Sequence, residues 1–151
     1  MLDGVWVDRQ EIYTDGCRLD GGQGSGWSAV VILDGKIDTI LSGVCRGRMF
    51  LTNSHRVELF AIYRALTSVG DYPTTVYTDS LSFVRTISMS NCMRVASEYK
   101  DADLWRQIIK IKSKKNVMFR FVRSKSGNIY HDLAHFHARE VIKNKTVGLN
   151  V

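Results

Sequence analysis

The sequence has 151 residues, of which 44% are hydrophobic and 24% charged, and its formal net charge is +6. A chain of this length and apolar content buries a sizeable core, so the composition excludes disordered, collagen-like and linker-like proteins. Neither a basic flank followed by an apolar run at the start nor an apolar run of about eighteen residues is present, so we expect neither export nor membrane insertion. Lysines and arginines concentrate after residue 93, which favours a polyanionic partner, although the lysine-rich segment 110–116 is also typical of a solvated helix face.

The three cysteines are odd in number and widely spaced, at Cys17, Cys45 and Cys92. They contain no C-x-x-C pair of the kind that indicates zinc binding or redox chemistry. We therefore expect reduced thiols in a cytoplasmic protein.

The first part of the chain alternates apolar and polar residues, as strands do. Strands are expected at 11–15, 27–33 and 37–45. The glycine-rich segment 21–26 is expected to be a hairpin loop, and Asp34-Gly35 predicts a tight turn because both residue types accept positive φ values. The three strands therefore form an antiparallel meander.

Helical and strand patterns alternate in the rest of the chain. Asn53 and Ser54 are candidate N-caps of a helix that stops at Gly70. The predicted elements are a helix at 52–70, a strand at 71–80, a short helix at 81–87, a helix at 101–112, a strand at 116–122 and a helix at 127–144. No linker divides the chain, so we expect a single domain over residues 1–151.

The tripeptide Tyr-Thr-Asp occurs twice, at 13–15 and 77–79, each time at the end of a predicted strand. A strand–helix–strand connection in one sheet usually makes a right-handed parallel crossover, which places the first and fourth strands side by side. Asp15 and Asp79 then meet at the carboxyl edge, where adjacent carboxylates repel each other unless a cation or proton lies between them. A divalent metal ion fits this position. Taken singly, each Asp is also typical of a turn or an N-cap.

Two further acids are candidates for the same site. Glu58 lies on the helical stripe that is predicted to face the sheet, where a carboxylate is costly unless it is paired or bound to metal. The alternative for Glu58 is a pairing with Arg56 or Arg64, or with the helix dipole. Asp132 lies at the start of the last helix, where an acid that complements the dipole is ordinary. Only the four acids together indicate a site.

These segments together resemble the type 1 ribonuclease H family. The resemblance runs from about residue 10 to residue 143 and rests on Asp15-Gly16, Val57-Glu58-Leu59, Thr78-Asp79-Ser80 and, for the family pattern N-x-x-x-D-x-L-A, the segment Asn128 to Ala134 with Asp132. Residues 103–108 also resemble the family's fourth helix. The resemblance implies an α/β, ribonuclease H-like fold, in which helices flank a five-stranded mixed sheet of order 3-2-1-4-5 with strand 2 antiparallel.

The resemblance also implies an activity, a cofactor and a partner. It implies a metal-dependent endoribonuclease that hydrolyses the RNA strand of RNA–DNA hybrids with two Mg²⁺ ions, or with Mn²⁺. Asp15, Glu58, Asp79 and Asp132 are then the catalytic metal ligands. Substrate contacts are expected, by the same resemblance, from Gly16, Cys17, Ser54, His55, Arg56, Ser80, Lys125 and Asn128. No membrane partner is expected, and the protein is either a monomer or a domain of a larger polyprotein or polymerase.

Two features depart from the family's pattern. Well-studied members have a histidine in the loop before the last Asp, whereas the shorter loop at 122–128 offers Lys125. His131 directly precedes Asp132, but neighbours on a helix point about 100° apart, so His131 is expected at the surface or at the helix cap. Residues 88–102 are too short and too weakly basic for the helix-and-loop handle of some members, which leaves affinity to the segment 110–116 or to an attached domain.

Other readings of the sequence are weaker. The segment 21–26 is not followed by the Lys-Ser/Thr of a phosphate-binding loop, and a proofreading exonuclease of related fold would have an acid where Cys17 stands. The tryptophans, Trp6, Trp27 and Trp105, are expected to pack in the core or at an edge. Two alternative functions remain open: a nucleic-acid-binding module of the same fold with little catalysis, and a nuclease of that fold that acts on another duplex.

Overall fold

The computed structural model describes residues 9–19, 24–47, 50 and 53–148, and five strands of these residues form one mixed sheet. The strands are β1 (Gln10–Leu19), β2 (Gly24–Leu33), β3 (Lys36–Cys45), β4 (Thr74–Thr78) and β5 (Val117–Phe121). Their order is β3-β2-β1-β4-β5; β2 is antiparallel to both neighbours, and β4 is parallel to β1 and β5. The predicted sheet order and the antiparallel second strand are confirmed.

Helices pack on both faces of this sheet. They are α1 (Ser54–Ser68), α2 (Leu81–Ile87), α3 (Cys92–Ala96), α4 (Ala102–Lys114) and α5 (Ile129–Gly148). The large core cluster joins one face of the sheet to residues of α1, α2 and α4, and two smaller clusters join the other face to α5. α3 was not predicted from the sequence, and its cap residue Asn91 makes no side-chain hydrogen bond to the helix.

The turn and cap signals of the sequence are confirmed at the atomic level. Asp34 and Gly35 connect β2 and β3 with φ values of 48° and 83°. Asn53 precedes α1, and its side chain accepts a hydrogen bond from the backbone N–H of Arg56 at 3.2 Å. One predicted boundary is wrong, because β1 runs on past Asp15 and the segment 24–26 belongs to β2 instead of a loop. The two strands pair with each other over this whole stretch, while the remaining part of the predicted loop, 20–23, lies outside the described residues.

Two glycines let the helices approach the sheet closely. A Cβ atom on Gly16 of β1 would lie 2.8 Å from the carbonyl carbon of Val57 and 2.9 Å from the backbone nitrogen of Glu58. A Cβ atom on Gly26 of β2 would collide with the carbonyl oxygen of Ala138 in α5. Because neither position has room for a side chain, both helices lie directly on the backbone of the sheet.

Burial agrees with several smaller expectations. Cys17, Cys45 and Cys92 are free thiols, and all three are buried. Trp27 and Trp105 are buried in the large core cluster, as expected, while Trp6 lies outside the described residues. Within the described ranges, no helix has the length and apolar character needed to cross a bilayer.

Candidate active site

Asp15 and Asp79 lie where the parallel pairing of β1 with β4 ends. Tyr13 and Tyr77 form the last parallel pair, so Asp15 lies two residues beyond it on β1, and Asp79 directly follows the end of β4. β1 continues past this point beside β2 alone, with Asp15 opposite Ser28. The alternation of the strand places Asp15 on the same face as Tyr13, which packs against α5.

The close approach of α1 brings a third carboxylate to this edge. The backbone of Val57 and Glu58 lies against Gly16, the residue after Asp15. From there the Glu58 carboxyl group comes within hydrogen-bonding reach of Asp79. Because Gly16 has no side chain, α1 can approach β1 closely enough to bring Glu58 near the two aspartates.

Burial and the charges of neighbouring carboxylates raise the pKa values of Asp15 and Glu58. Desolvation raises the pKa of Asp15 above its ordinary value, and the hydrogen bond from His135 only partly offsets that effect. Desolvation, followed by the charges of Asp79 and Asp15, raises the pKa of Glu58 to about 8. A cation bound among the carboxylates would stabilise their charged forms.

Two histidines of α5, the helix on the opposite face of the sheet from α1, contact Asp15 and Asp79. The buried hydroxyl of Ser28 donates a hydrogen bond to the carbonyl oxygen of Ala134, which ties this turn of α5 to β2. His131 Nε2 then lies 3.5 Å from Asp79 Oδ2, and His135 Nδ1 lies 2.7 Å from Asp15 Oδ2. These contacts with Asp79 and with Asp15 raise the pKa values of His131 and His135, respectively.

The expectation that His131 is a surface or capping residue is wrong. His131 is only 3% exposed, on the α5 face that also carries the buried Ala134, Ala138 and Ile142. Asp132, one residue on, is exposed, and its backbone N–H donates to the carbonyl of Asn128 at 3.0 Å. The phase of the helix turns His131 toward the sheet and Asp132 toward solvent.

The sequence contained a signal for this arrangement. The family pattern N-x-x-x-D-x-L-A has one residue between its acid and its leucine, but Asp132 is directly followed by Leu133. Counting forward from Asn128 selects Asp132, whereas counting back from Leu133 and Ala134 selects His131. Ala134 packs against the sheet, so the structure follows the second count.

The donors at this edge suit a divalent cation. Asp15, Asp79 and His131 each offer one ligand atom, and these atoms lie within 4.8 Å of one another. The Nε2 atom of His131 faces Asp79, while its buried Nδ1 atom has no hydrogen-bond partner among the described residues. Among the described residues, the predicted ligands Asp15, Glu58 and Asp79 converge, whereas Asp132 is not part of the group of close ligand atoms.

All residues of this site lie in the part of the chain that matches a known protein family. Residues 8–143 match the family model of RNase H. The chain belongs to the ribonuclease H family. It is 30% identical to the ribonuclease H of Prosthecochloris aestuarii over 88% of this chain and 94% of that protein, and 33% identical to that of Ehrlichia ruminantium over 90% and 96%.

Solved ribonuclease H structures have the same fold. The structure of LC11-RNase H1 in complex with an RNA/DNA hybrid has a TM-score of 0.66 with this chain at 19% identity, and the match covers 91% of this chain and 99% of that one. The foamy viral protease-reverse transcriptase, also solved with an RNA/DNA hybrid, has a TM-score of 0.73 at 14% identity over 89% of this chain and 20% of that one. The fold thus occurs both as a whole chain and as part of a longer one.

Four of the predicted substrate contacts of this ribonuclease H family member already have structural contacts. Gly16 lies against α1, and Cys17 packs in a buried cluster with residues of α5. The hydroxyl of Ser80 caps α2 by accepting from the N–H of Phe83 at 3.3 Å. Asn128 Oδ1 accepts from the first backbone N–H groups of α5, including that of His131 at 3.0 Å. Their contact with substrate stays a prediction.

The other four predicted contacts differ in accessibility. Ser54 and Lys125 are exposed, and Lys125 has a φ of 57° in the loop before α5. His55 Nδ1 lies 3.5 Å from Asp101 Oδ2. The Arg56 guanidinium donates to both carboxylate oxygens of Asp103, at 2.9 and 2.7 Å, and to Asp101 at 3.2 Å, so it is engaged within the protein.

The lysine-rich segment is also partly engaged. Lys112 Nζ donates to the carbonyl oxygen of Ile87 at 2.7 Å, and Lys115 Nζ donates to that of Leu66 at 3.4 Å. Both lysines therefore donate hydrogen bonds to backbone carbonyls near the C-terminal ends of other helices. This structural role differs from the two that the sequence suggested for the segment, a solvated helix face and a polyanion-binding site.

Proposed function

We propose that the protein hydrolyses the RNA strand of RNA–DNA hybrids with divalent ions held by Asp15, Glu58 and Asp79. The observation that carries the proposal is the convergence of these three acids from β1, α1 and the end of β4 in a ribonuclease H family chain. Hydrolysis of a phosphodiester requires an activated water and a leaving 3′-oxygen relieved of its charge. Two divalent ions, when bound, supply both.

The protein's own residues would orient the carboxylate ligands and balance their charge. Asp15, buried between Asp79 and His135, is held in one orientation by the 2.7 Å contact with His135. Desolvation and the neighbouring charges of Asp79 and Asp15 raise the pKa of Glu58 to about 8, so ion binding at this edge competes with the proton on Glu58. The proposed ion is Mg²⁺ or Mn²⁺, and Asp132, whose side chain is exposed, stays a ligand predicted from the family resemblance alone.

Recognition of the hybrid is proposed to rest on shape and sugar. Proteins that recognise RNA-containing duplexes contact 2′-hydroxyls and phosphates across a wide, shallow minor groove, which a base sequence changes little. The side chains of Ser54 and Lys125 are exposed, and no described hydrogen bond or ion pair occupies either of them. The complexes of LC11-RNase H1 and of the foamy viral enzyme with hybrids support this substrate class.

A cleavage gel tests the proposal. Labelled RNA–DNA hybrid, RNA duplex and DNA duplex are incubated with the protein in Mg²⁺, in Mn²⁺ and in chelator. We expect cleavage of the RNA strand of the hybrid with either ion and none in chelator.

Two matched Asp-to-Asn variants complete the gel. Asp79→Asn should abolish cleavage, whereas Asp103→Asn, in the acidic pair bound to Arg56, should retain it. Binding that weakens across a salt series, without cleavage of any duplex, would instead indicate a nucleic-acid-binding module. Preferential cleavage of the RNA or DNA duplex would assign the same site to another substrate.

A further inference from the structure

The donor set at the sheet edge is not made of oxygen alone. His131 is 3% exposed, and its imidazole lies against Asp79 in the interior. Carboxylate-only sites suit Mg²⁺, which prefers oxygen ligands in strict octahedral geometry. An imidazole nitrogen binds Mn²⁺ more strongly than it binds Mg²⁺, and it binds the later divalent metals more strongly still. A buried nitrogen donor therefore affects which ion the site holds.

The distances permit direct coordination. Two donor atoms bound to one divalent ion at about 2.1 Å lie roughly 3–3.5 Å apart, depending on the bond angle. The 3.5 Å between His131 Nε2 and Asp79 Oδ2 falls at the upper end of that range. The ligand atoms of Asp15, Asp79 and His131 also form one group within 4.8 Å.

The charge count points the same way. Asp15, Glu58 and Asp79 provide three carboxylates, and α5 contributes the imidazole of His131 where the family resemblance implies a fourth carboxylate. Fewer negative charges weaken the attraction for every divalent ion, but an ion that gains a bond to nitrogen recovers part of that loss. Mg²⁺ recovers the least.

We propose that His131 is a nitrogen ligand of the ion bound between Asp15 and Asp79, and that it makes the site select Mn²⁺ over Mg²⁺. This inference rests on the proposed function only in taking that ion as the one used for cleavage. His135, which is half-exposed and contacts only Asp15 among the carboxylates whose contacts are described, is a positioning residue that orients Asp15.

Spectroscopy of the bound ion tests the ligand directly. Mn²⁺ is added to the chelator-treated protein, and pulsed electron paramagnetic resonance measures coupling between the ion and ¹⁴N nuclei. We expect a ¹⁴N coupling in the wild type and its loss in His131→Asp. His131→Asn, which keeps the size of the side chain, should also lose it and serves if the Asp variant folds poorly.

Two histidine variants serve as matched controls. His137, on the same helix, packs against Phe136 and makes no described contact with the carboxylates, so His137→Ala should retain the coupling. His135→Ala should also retain it, while binding both ions more weakly because Asp15 is less well oriented. Loss of the coupling in His135→Ala with retention in His131→Asp would overturn the proposal.

Competition between the two ions gives the selectivity. Free Mn²⁺ is measured while Mg²⁺ is added, and we expect His131→Asp to lower the ratio of Mn²⁺ to Mg²⁺ affinity by about tenfold. An unchanged ratio, or a wild type without ¹⁴N coupling, overturns the inference even if the hybrid is cleaved. Conversely, nitrogen coupling without hybrid cleavage leaves the inference standing and defeats only the proposed function.

Discussion

Two acidic clusters contact the first turns of α1, and they are neutralised differently. Asp101 and Asp103 bind the Arg56 guanidinium, and the hydrogen bond to Arg56 holds the pKa of Asp103 below its ordinary value. Asp15 and Glu58 have raised pKa values because they are buried, and the groups paired with Asp15 and Asp79 are histidines. Arginine is a permanent cation and histidine is not. Arg56 therefore neutralises the first cluster at any physiological pH, whereas the histidines add positive charge to the second only when they are protonated.

The largest expected difference between the clusters is in catalysis. Asp15→Asn should lower hybrid cleavage by about 10³-fold, because it removes a charge on which ion binding depends. Asp103→Asn changes an acid that is already neutralised by Arg56 and should leave the rate within about twofold. Single-turnover rates of the two variants test this contrast. Equal losses would show that the two clusters do not differ in function.

The next largest effect concerns stability. Arg56→Ala leaves the buried Asp101 without its arginine partner and should lower the free energy of unfolding by about 2–4 kcal/mol. Arg64→Ala, which removes a guanidinium lying 5.5 Å from the ring centroid of Trp27, is the control and should cost about 1 kcal/mol or less. Urea unfolding measures both values. If Arg56→Ala lowers the free energy of unfolding no more than Arg64→Ala does, water reaches Asp101 and the ion pair with Arg56 is not buried.

A smaller effect is expected from the spacing between β1 and α1. Gly16→Ala puts a Cβ atom 2.8 Å from the Val57 carbonyl carbon, so α1 must shift and carry Glu58 with it. We expect a loss of about 10–50-fold in kcat and about 1–3 kcal/mol in stability. Gly35→Asn, at φ 83° with no atom within 4 Å, is the control; it should leave kcat unchanged and lower stability by about 1 kcal/mol, because Asn tolerates a left-handed backbone at a small cost. A fully active Gly16→Ala variant would mean that Glu58 tolerates displacement.

The smallest expected effect is on the pH dependence of the metal-free protein. The pKa of Glu58 is about 8 in the fold and 4.5 ordinarily. Between these values the unfolded chain has already lost the proton that the fold keeps, so this group lowers stability as pH rises through that window. In chelator, Glu58→Gln should therefore gain roughly 1–2 kcal/mol over the wild type between pH 5 and 8.

Melting temperatures in chelator across that pH range test the Glu58 prediction. Glu98→Gln, at an exposed position, is the control and should follow the wild type. Added Mn²⁺ should stabilise the wild type more than Glu58→Gln, because only the wild type regains a carboxylate ligand. A parallel pH profile for wild type and Glu58→Gln would contradict the raised pKa.

Local signals predicted much of the fold. Asp34-Gly35 marked the β2–β3 turn, Asn53 marked the start of α1, and the repeated Tyr-Thr-Asp marked the parallel neighbours β1 and β4. These features depend on residues that are close in sequence or on the chirality of a crossover connection. The extension of β1 and β2 past Asp15 was missed because glycines in strands are indistinguishable from a loop until the partner strand is known.

The candidate site was predictable only in part. Asp15, Glu58 and Asp79 follow from strand order and helix phase, and the structure brings them together. The inward turn of His131 depends on where α5 rests on β2, which the bond from Ser28 to the carbonyl of Ala134 fixes. The engagement of Arg56 could not be predicted either, because its partners lie 45 and 47 residues away and no local pattern links them.

The three buried cysteines can report local opening of the structure. Cys17 lies beneath α5, Cys45 ends β3, and Cys92 begins α3. Desolvation raises the pKa of Cys45 to about 12 and also raises that of Cys17, so both remain unreactive thiols at neutral pH. An alkylating reagent reaches each sulfur only when the surrounding segment opens. The labelling rate at each cysteine therefore measures how often that part of the structure opens.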